Sequence, residues 1–111
     1  MIQVRTGCDI VKIKRFNKID KKILNKIFHK SELKSLKPER LAGLFAVKES
    51  CKKVFNDLSW HDIEIKNKRS GKPTLTLNAK KDILSYDLSI SHDKDYAIAT
   101  VIFLIKKSRG L

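Results

Sequence analysis

Residues 39–56, ERLAGLFAVKESCKKVFN, are the stretch that decides the fold. Apolar side chains recur in it at intervals of three and four residues, the spacing that places them on one face of an α-helix. The members of this stripe are Leu41, Leu44, Phe45, Val47, Cys51, Val54 and Phe55. Pro38 precedes the stretch, where a proline can open a helix. The pattern predicts one long helix over 39–56.

The residues before this helix predict a strand and further helical segments. Residues 2–13 alternate between β-branched apolar and polar types, which favours a strand. We expect Gly7 to break it, as a bulge or as a close approach of two backbones. Residues 14–28 combine an apolar helical stripe with a face of lysines and one arginine, and a short helix is expected to start at Ser31. This half therefore contains one strongly basic amphipathic helix.

The residues after the long helix show strand patterns. Residues 62–66 and 74–77 flank the segment 67–73, whose Ser-Gly-Lys-Pro is typical of a loop that joins a hairpin. A short helix is expected over 78–84. The segment is therefore predicted to be a hairpin followed by a helical turn.

The last part of the chain is predicted to close a sheet. Residues 88–92 and 96–105 alternate as a pair of strands around a polar turn, and the tail 106–111 is expected to fray. A length of 111 residues fits one domain. The prediction is a single α+β domain over 1–111, with the helices mostly first and an antiparallel sheet closing the chain.

Charge is the most unusual feature of the composition. The chain has 25 Lys plus Arg against 12 Asp plus Glu, a formal net charge of +13. Such a surface attracts polyanions of many kinds, including nucleic acid, anionic membrane, a phosphorylated cofactor or an acidic protein. Charge alone does not choose among them.

Compartment and assembly are also indicated by the sequence. No apolar run of about 18 residues occurs and the N-terminus lacks the layout of a secretory signal, so we expect a cytoplasmic protein without a membrane partner. Cys8 and Cys51 lack metal-finger spacing and are expected to remain thiols. A domain this small has little room for a closed cleft, which favours a site completed between identical subunits.

Two acidic residues are candidates for chemistry. Asp9 lies in an otherwise apolar strand, where an unpaired charge would be costly, so it requires a lysine partner, surface exposure or a divalent cation. A cation would need a second carboxylate, for which Glu49 is the best candidate, because Mg²⁺ is typically held by one or two carboxylates plus phosphate oxygens and waters. Glu49 lies four residues before Lys53, and the commonest meaning of that spacing, a plain ion pair along the helix, stays open.

Two motifs stand in a fixed order in the first half of the chain. One is GCDIV at 7–11 with Arg15, and the other is RLAG at 40–43 running into FAVKES at 45–50 with Lys53. Together they resemble the paired signatures of the holo-acyl-carrier-protein synthases, a family of phosphopantetheinyl transferases. Four further blocks resemble the same family: 31–33 (SEL), 60–65 (WHDIEI), 71–73 (GKP) and 89–92 (SISH) leading to 96–99 (YAIA). The resemblance spans 7–102.

The resemblance implies a reaction and a metal. It implies transfer of 4′-phosphopantetheine from coenzyme A to a serine of an apo acyl carrier protein, with release of adenosine 3′,5′-bisphosphate. It also implies that Asp9 and Glu49 hold Mg²⁺ against the pyrophosphate, while Lys53, assisted by Lys48, contacts phosphate oxygens. A base must take the serine proton, and both Glu49 and a metal-bound water stay open for that role.

Further cofactor contacts are implied near the C-terminus. Gly71 and Pro73 match family residues that shape the wall around the adenine, and His92 matches one at the phosphates or the nucleotide. Plain turn and strand-end roles stay open for all three. The family fold is a trimer with active sites between subunits, so these residues are expected to serve a neighbour's Asp9 and Glu49.

The resemblance also assigns a partner to the basic helix. Acyl carrier proteins are acidic, and family members present cations to them at this place. The predicted docking residues are Lys14, Arg15, Lys18, Lys22 and Lys26. Arg15 ranks first because its planar guanidinium suits carboxylates. A simple solvated face is the alternative for the others.

Two departures from the family pattern are expected to matter. After Lys53 the family usually continues with a small residue and a glycine-rich loop, whereas 54–58 (VFNDL) leads directly to Ser59. The pocket on the nucleotide side is therefore expected to differ in shape. Leu44 also stands where many relatives carry a basic residue, so one phosphate or docking contact is absent or comes from another lysine.

Two other function classes compete with this interpretation. A small basic nucleic-acid-binding module would explain the charge and the lysine-rich helix, but an aromatic content of 7% offers little for base stacking. It would also leave Asp9 and Glu49 unexplained. A module that only docks on an acidic protein is the third class. The favoured prediction is the magnesium-dependent transferase, with coenzyme A and an acidic carrier protein as partners and no nucleic acid.

Overall fold

The computed structural model describes residues 1–107, so 108–111 of the predicted tail lie outside the described residues. Its elements, in chain order, are β1 (Ile2–Lys12), a 3-10 turn (Ile13–Phe16), α1 (Lys21–Ile27), a 3-10 turn (Lys30–Lys34), α2 (Pro38–Val54), a 3-10 turn (Trp60–Asp62), β2 (Ile63–Asn67), β3 (Pro73–Leu77), β4 (Ile83–Asp93) and β5 (Tyr96–Lys106). The predicted α+β arrangement is confirmed. None of the helices within 1–107 is long and apolar enough to cross a membrane.

The strands form two antiparallel sheets. One has the order β1-β5-β4, with β5 in the middle, and the other is the β2-β3 hairpin. Along β5 every second side chain from Ala97 to Phe103 is buried, whereas Ile98 and Ile102 are exposed on the opposite face. This alternation follows from the period of two in a strand, and it leaves one apolar face covered and the other open.

Helix α2 packs against the three-stranded sheet and contributes more buried hydrophobic residues than any other element within 1–107. The contact with β1 is made by backbones, since a Cβ built on Gly7 would lie 2.1 Å from the carbonyl oxygen of Ser50. The Ser50 hydroxyl donates to the carbonyl oxygens of Ala46 and Ala99. The predicted close approach at Gly7 is confirmed. The predicted break there is wrong, because β1 continues through Gly7, which pairs with Val101.

The basic helix predicted over 14–28 is two elements. The 3-10 turn ends at Phe16 and α1 begins at Lys21, with Asp20 between them in an extended conformation. The Asp20 carboxylate accepts a hydrogen bond from the Lys22 amide at 2.9 Å, so it caps a new helix rather than continuing an old one. Both pieces bury one apolar stripe, which includes Phe16, Leu24 and Phe28.

The helix predicted over 78–84 is absent from the described chain. Residues 78–82 form an irregular link, Asp82 has a φ of 49°, and Ile83 begins β4. Pairing with β5 extends β4 well before the predicted start of the strand at residue 88. At the other end, Lys106 is still in β5 and Lys107 donates its amide to Met1, so fraying does not reach these two residues.

Candidate active site

Asp9 and Lys53 meet at the junction of β1 and α2. The Lys53 ammonium lies 3.2 Å from Oδ1 of Asp9 and 2.8 Å from the carbonyl oxygen of Cys8. The Asp9 side chain is 16% exposed and that of Lys53 is 53% exposed. The lysine partner expected as one alternative for Asp9 is therefore present, and two predicted site residues lie together at the protein surface.

Glu49 lies on α2 one turn before Lys53 and is half-buried. The ion pair of Lys53 is made with Asp9, and the salt bridges within 1–107 do not include Glu49. Side chains four residues apart on a helix have Cβ atoms about 5–6 Å apart. Asp9, Glu49 and Lys53 thus form one cluster, which we call the acid–lysine cluster.

The acid–lysine cluster offers two carboxylates to a metal. Within the described chain no group of three or more His, Cys, Asp or Glu side chains is placed to hold one. Two carboxylates at a partly open surface fit Mg²⁺, a hard cation that accepts oxygen ligands and usually keeps several positions for water and substrate phosphate. The donor set therefore fits the predicted ion, provided that the substrate supplies further oxygens.

Lys48 does not join this cluster, which corrects its predicted role at the cofactor phosphates. Its ammonium lies 2.9 Å from Oε1 of Glu32 and also donates to the carbonyl oxygens of Trp60 and Ile63. Both charged side chains are fully buried. Because all three N–H groups of the ammonium have partners, none is left for a phosphate.

A cavity of about 850 Å³ opens beside the N-terminal part of α2. Its lining includes Gly71, Pro73 and His92, the three residues predicted at the nucleotide end of the cofactor. Nε2 of His92 lies 3.1 Å from Oε1 of Glu39, which also lines the cavity. The acid–lysine cluster does not border this cavity, so the structure separates the predicted cofactor residues into two groups.

Three further cations line the same cavity and were missed by sequence reasoning. They are Lys37, Arg40 and Lys72. Leu44, the position where a basic residue was expected, is also in the wall. Arg40 and Lys72 lie inside motifs that resemble the family, so the sequence offered a reason to consider them. A lysine-rich sequence does not, however, show which cations face a cavity. Lys37 and Lys72 are exposed and supply positive charge beside Leu44.

The predicted docking residues lie on two elements instead of one helix. Lys14 and Arg15 are on the first 3-10 turn, Lys18 is in the link, and Lys22 and Lys26 are on α1. All five are exposed. The guanidinium carbon of Arg15 lies 5.1 Å from the ring centroid of Phe45 on α2. The structure thus keeps a basic face and anchors its arginine on an aromatic ring.

Comparison with known proteins agrees with this fold. Residues 5–101 match the family model of the 4′-phosphopantetheinyl transferase superfamily. The chain is 41% identical to a holo-[acyl-carrier-protein] synthase of Nautilia profundicola, over 88% of this chain and 97% of that protein. It is 36% identical to a protein of the same name from Caldanaerobacter subterraneus subsp. tengcongensis, over 91% of this chain and 94% of that protein.

Solved structures show the same likeness. The holo-[acyl-carrier-protein] synthase of Helicobacter pylori, in complex with coenzyme A, has a TM-score of 0.81 and 36% identity, covering 89% of this chain and 99% of that one. A synthase of Bacillus anthracis has a TM-score of 0.77 and 31% identity, covering 91% and 96%. The chain belongs to the 4′-phosphopantetheinyl transferase superfamily. Within it, these relatives are holo-[acyl-carrier-protein] synthases, and none of them supports the nucleic-acid-binding alternative.

Proposed function

We propose that this protein transfers 4′-phosphopantetheine from coenzyme A to a serine hydroxyl of an apo acyl carrier protein in fatty acid biosynthesis. The products are the holo carrier protein and adenosine 3′,5′-bisphosphate. The acid–lysine cluster carries the proposal, because it places two carboxylates and an exposed ammonium together at the surface, in a chain whose relatives are holo-[acyl-carrier-protein] synthases.

The residues of the cluster have distinct roles in this proposal. Asp9 and Glu49 would hold Mg²⁺, which when bound neutralises charge on the pyrophosphate. The serine oxygen forms a bond to the β-phosphorus of coenzyme A as the bond to the bridging oxygen of the pyrophosphate breaks. Lys53, which is half exposed, turns from Asp9 to the phosphate oxygens and stabilises their charge. The salt bridges within 1–107 pair Asp9 with Lys53 and do not include Glu49, so we assign a Glu49 oxygen that does not hold the ion as acceptor of the serine proton.

The separation of the cavity from the cluster supports a site shared between subunits. We propose a homotrimer in which the cavity of one subunit binds the nucleotide and a neighbour's Asp9 and Glu49 receive the phosphates. Apolar side chains on the open face of the three-stranded sheet provide an interface: Ile2, Val4, Ile10, Ile98 and Ile102. Sedimentation equilibrium tests the assembly, and a fully active monomer would contradict it.

The basic face supports an acidic partner. Lys14, Arg15, Lys18, Lys22 and Lys26 are proposed to attract the carrier protein. This follows because exposed cations raise the rate of encounter with a polyanionic surface. The free thiols of Cys8 and Cys51 agree with the proposed cytoplasmic location, where thiols stay reduced.

The mass of a purified apo carrier protein after incubation with this protein, coenzyme A and Mg²⁺ tests the reaction. We expect a gain of one phosphopantetheine group, which is lost with Glu49→Gln and with a chelator. The matched control is Asp57→Asn, which removes an exposed carboxylate paired with Lys81 outside the acid–lysine cluster. No gain with several carrier proteins would refute the proposed activity.

A further inference from the structure

Two cations and two aromatic rings form a continuous row, in which the Phe45 ring is buried and the other three side chains reach the surface. The Arg15 guanidinium carbon lies 5.1 Å from the Phe45 ring centroid, and the Phe45 and Trp60 rings stack with centroids 5.3 Å apart. On the far side, the Lys52 ammonium lies 3.7 Å from the Trp60 ring centroid. We call these four residues the cation–ring strip.

The strip runs beside the predicted site of chemistry. Phe45 precedes Glu49 by four residues on α2, and Lys52 follows it by three. Residues at these spacings share one face of a helix. A molecule that lies along the strip therefore touches the helix face that presents Glu49.

The rings of the strip are held in place from below. Phe45 is 7% exposed and packs on Phe16, with ring centroids 5.5 Å apart. The carbonyl oxygen of Trp60 accepts a hydrogen bond from the buried Lys48 ammonium at 3.1 Å. Asp62 accepts hydrogen bonds from the amide and the hydroxyl of Ser59, which closes the short turn containing Trp60. A surface fixed in this way loses little conformational entropy when it binds a partner.

The cations of the strip are available to carboxylates. Arg15 is exposed and Lys52 is half-buried, and neither takes part in the salt bridges within 1–107. A cation over an aromatic face keeps its outward N–H groups free for an anion while its inner side rests on the ring. Phe45 and Lys52 occupy the two faces of the half-buried Trp60 ring, so the ring edge is the part that an apolar side chain of a partner can reach.

We propose that the cation–ring strip is a docking surface for the acidic face of the carrier protein, and that Lys52 and Trp60 extend the basic face to the edge of Glu49. The inference rests on the proposed function. Its basis is charge complementarity together with position, because the serine of the carrier has to reach Glu49. Carboxylates of the partner pair with Arg15 and Lys52, and an apolar side chain contacts the edge of the Trp60 ring.

Charge reversal at Lys52 is the first test. In the transfer assay we expect Lys52→Glu to raise KM for the carrier protein on the order of tenfold with KM for coenzyme A unchanged, while Lys52→Arg stays close to wild type. The matched control, Lys80→Glu, makes the same change in net charge at an exposed lysine outside the strip. If Lys52→Glu and Lys80→Glu raise KM for the carrier protein equally, the proposal is overturned, because the net charge of the protein alone would then explain the effect.

Fluorescence of Trp60 is the second test, because it is the single tryptophan of the chain. Titration with a carrier protein whose acceptor serine is replaced by alanine should change the emission of Trp60, and coenzyme A alone should not. If coenzyme A changes the Trp60 emission and the carrier protein does not, the strip binds the cofactor and the docking role is refuted.

The failure of this inference can be distinguished from the failure of the proposed function. If the wild type modifies no carrier protein, the proposed function fails. If the wild type modifies the carrier protein, but the Trp60 emission does not change and Lys52→Glu leaves KM for the carrier unchanged, only this inference fails.

Discussion

The ammonium of Lys48 lies 2.9 Å from the carboxylate of Glu32, and neither side chain is accessible to solvent. Oε1 of Glu32 also accepts the amide of His29 at 2.7 Å, and Oε2 accepts the amide of Ile65 at 2.8 Å. The pair thus connects α2 to the 3-10 turn Lys30–Lys34 and to β2. Lys48 is also the residue directly before Glu49 in α2.

Replacing one member of this pair is expected to lower the stability of the protein strongly. Glu32→Leu or Lys48→Met alone leaves a buried charge without its counterion, which costs about 3–5 kcal/mol of the free energy of unfolding. The double variant Glu32→Leu with Lys48→Met removes both charges and should cost less than the sum of the single variants. Urea denaturation measures all three. Additive losses would show that the two side chains act independently.

The close approach at Gly7 makes a second prediction. In Gly7→Ala the new methyl group would lie 2.1 Å from the carbonyl oxygen of Ser50 on α2, so backbone has to move. We expect a loss of about 1–3 kcal/mol or more in the free energy of unfolding, together with reduced transfer, because β1 also carries Asp9. Gly43→Ala is the matched control, since its methyl group would meet only a side-chain carbon of Ile90 at 3.0 Å. Equal losses from both variants would contradict this explanation.

Elements that depend on local pattern were predicted well from the sequence. The long helix, the alternation in β5 and the close approach at Gly7 are all confirmed, although every residue of α2 from 41 to 48 is buried and not the apolar stripe alone. The link 78–82 and the early start of β4 were not predicted, because pairing with β5 decides them. The division of 14–28 was missed because both pieces bury the same apolar stripe, and only the Asp20 cap separates them.

The sequence did not show which lysines of α2 belong to the candidate site, because neighbouring lysines look alike in a sequence. Lys48, Lys52 and Lys53 lie within six residues on one helix, yet they pair with Glu32, the Trp60 ring and Asp9. Those partners come from three different elements, so spacing along the helix does not distinguish the buried cation from the two surface cations. The tertiary partner decides the role of each.

Charge reversal on the basic face is expected to separate the two substrates. Arg15→Glu and Lys22→Glu should raise KM for the carrier protein and leave KM for coenzyme A unchanged. Both residues are exposed, and neither lines the cavity that contains His92. Steady-state kinetics with each substrate varied in turn measure the effect. A similar rise in KM for coenzyme A would count against a separate docking face for the carrier protein.

The cavity is expected to respond in the opposite way. His92→Ala removes a side chain that lines the cavity and contacts Glu39, so we expect a higher KM for coenzyme A and an unchanged KM for the carrier protein. His61→Ala is the control, since His61 is exposed and its ring contacts Asn25 and His29 outside the cavity. If His92→Ala raises KM for the carrier protein alone, the cavity binds the carrier protein and not the cofactor.

Asp62 makes stability depend on pH in a predictable direction. The amide and the hydroxyl of Ser59 donate to its carboxylate and hold the pKa of Asp62 below its ordinary value. Between the lowered pKa of the folded state and the ordinary pKa of the unfolded state, the unfolded chain binds more protons, so stability rises with pH. The contribution is complete above the ordinary pKa and is lost as pH falls through the lowered one. Thermal unfolding of wild type and Asp62→Asn should therefore differ most near neutral pH, and the difference should shrink as the pH falls below the ordinary pKa of an aspartate. A Tm difference that stays constant from pH 7 to the acid limit would show that the carboxylate charge does not stabilise the turn containing Trp60.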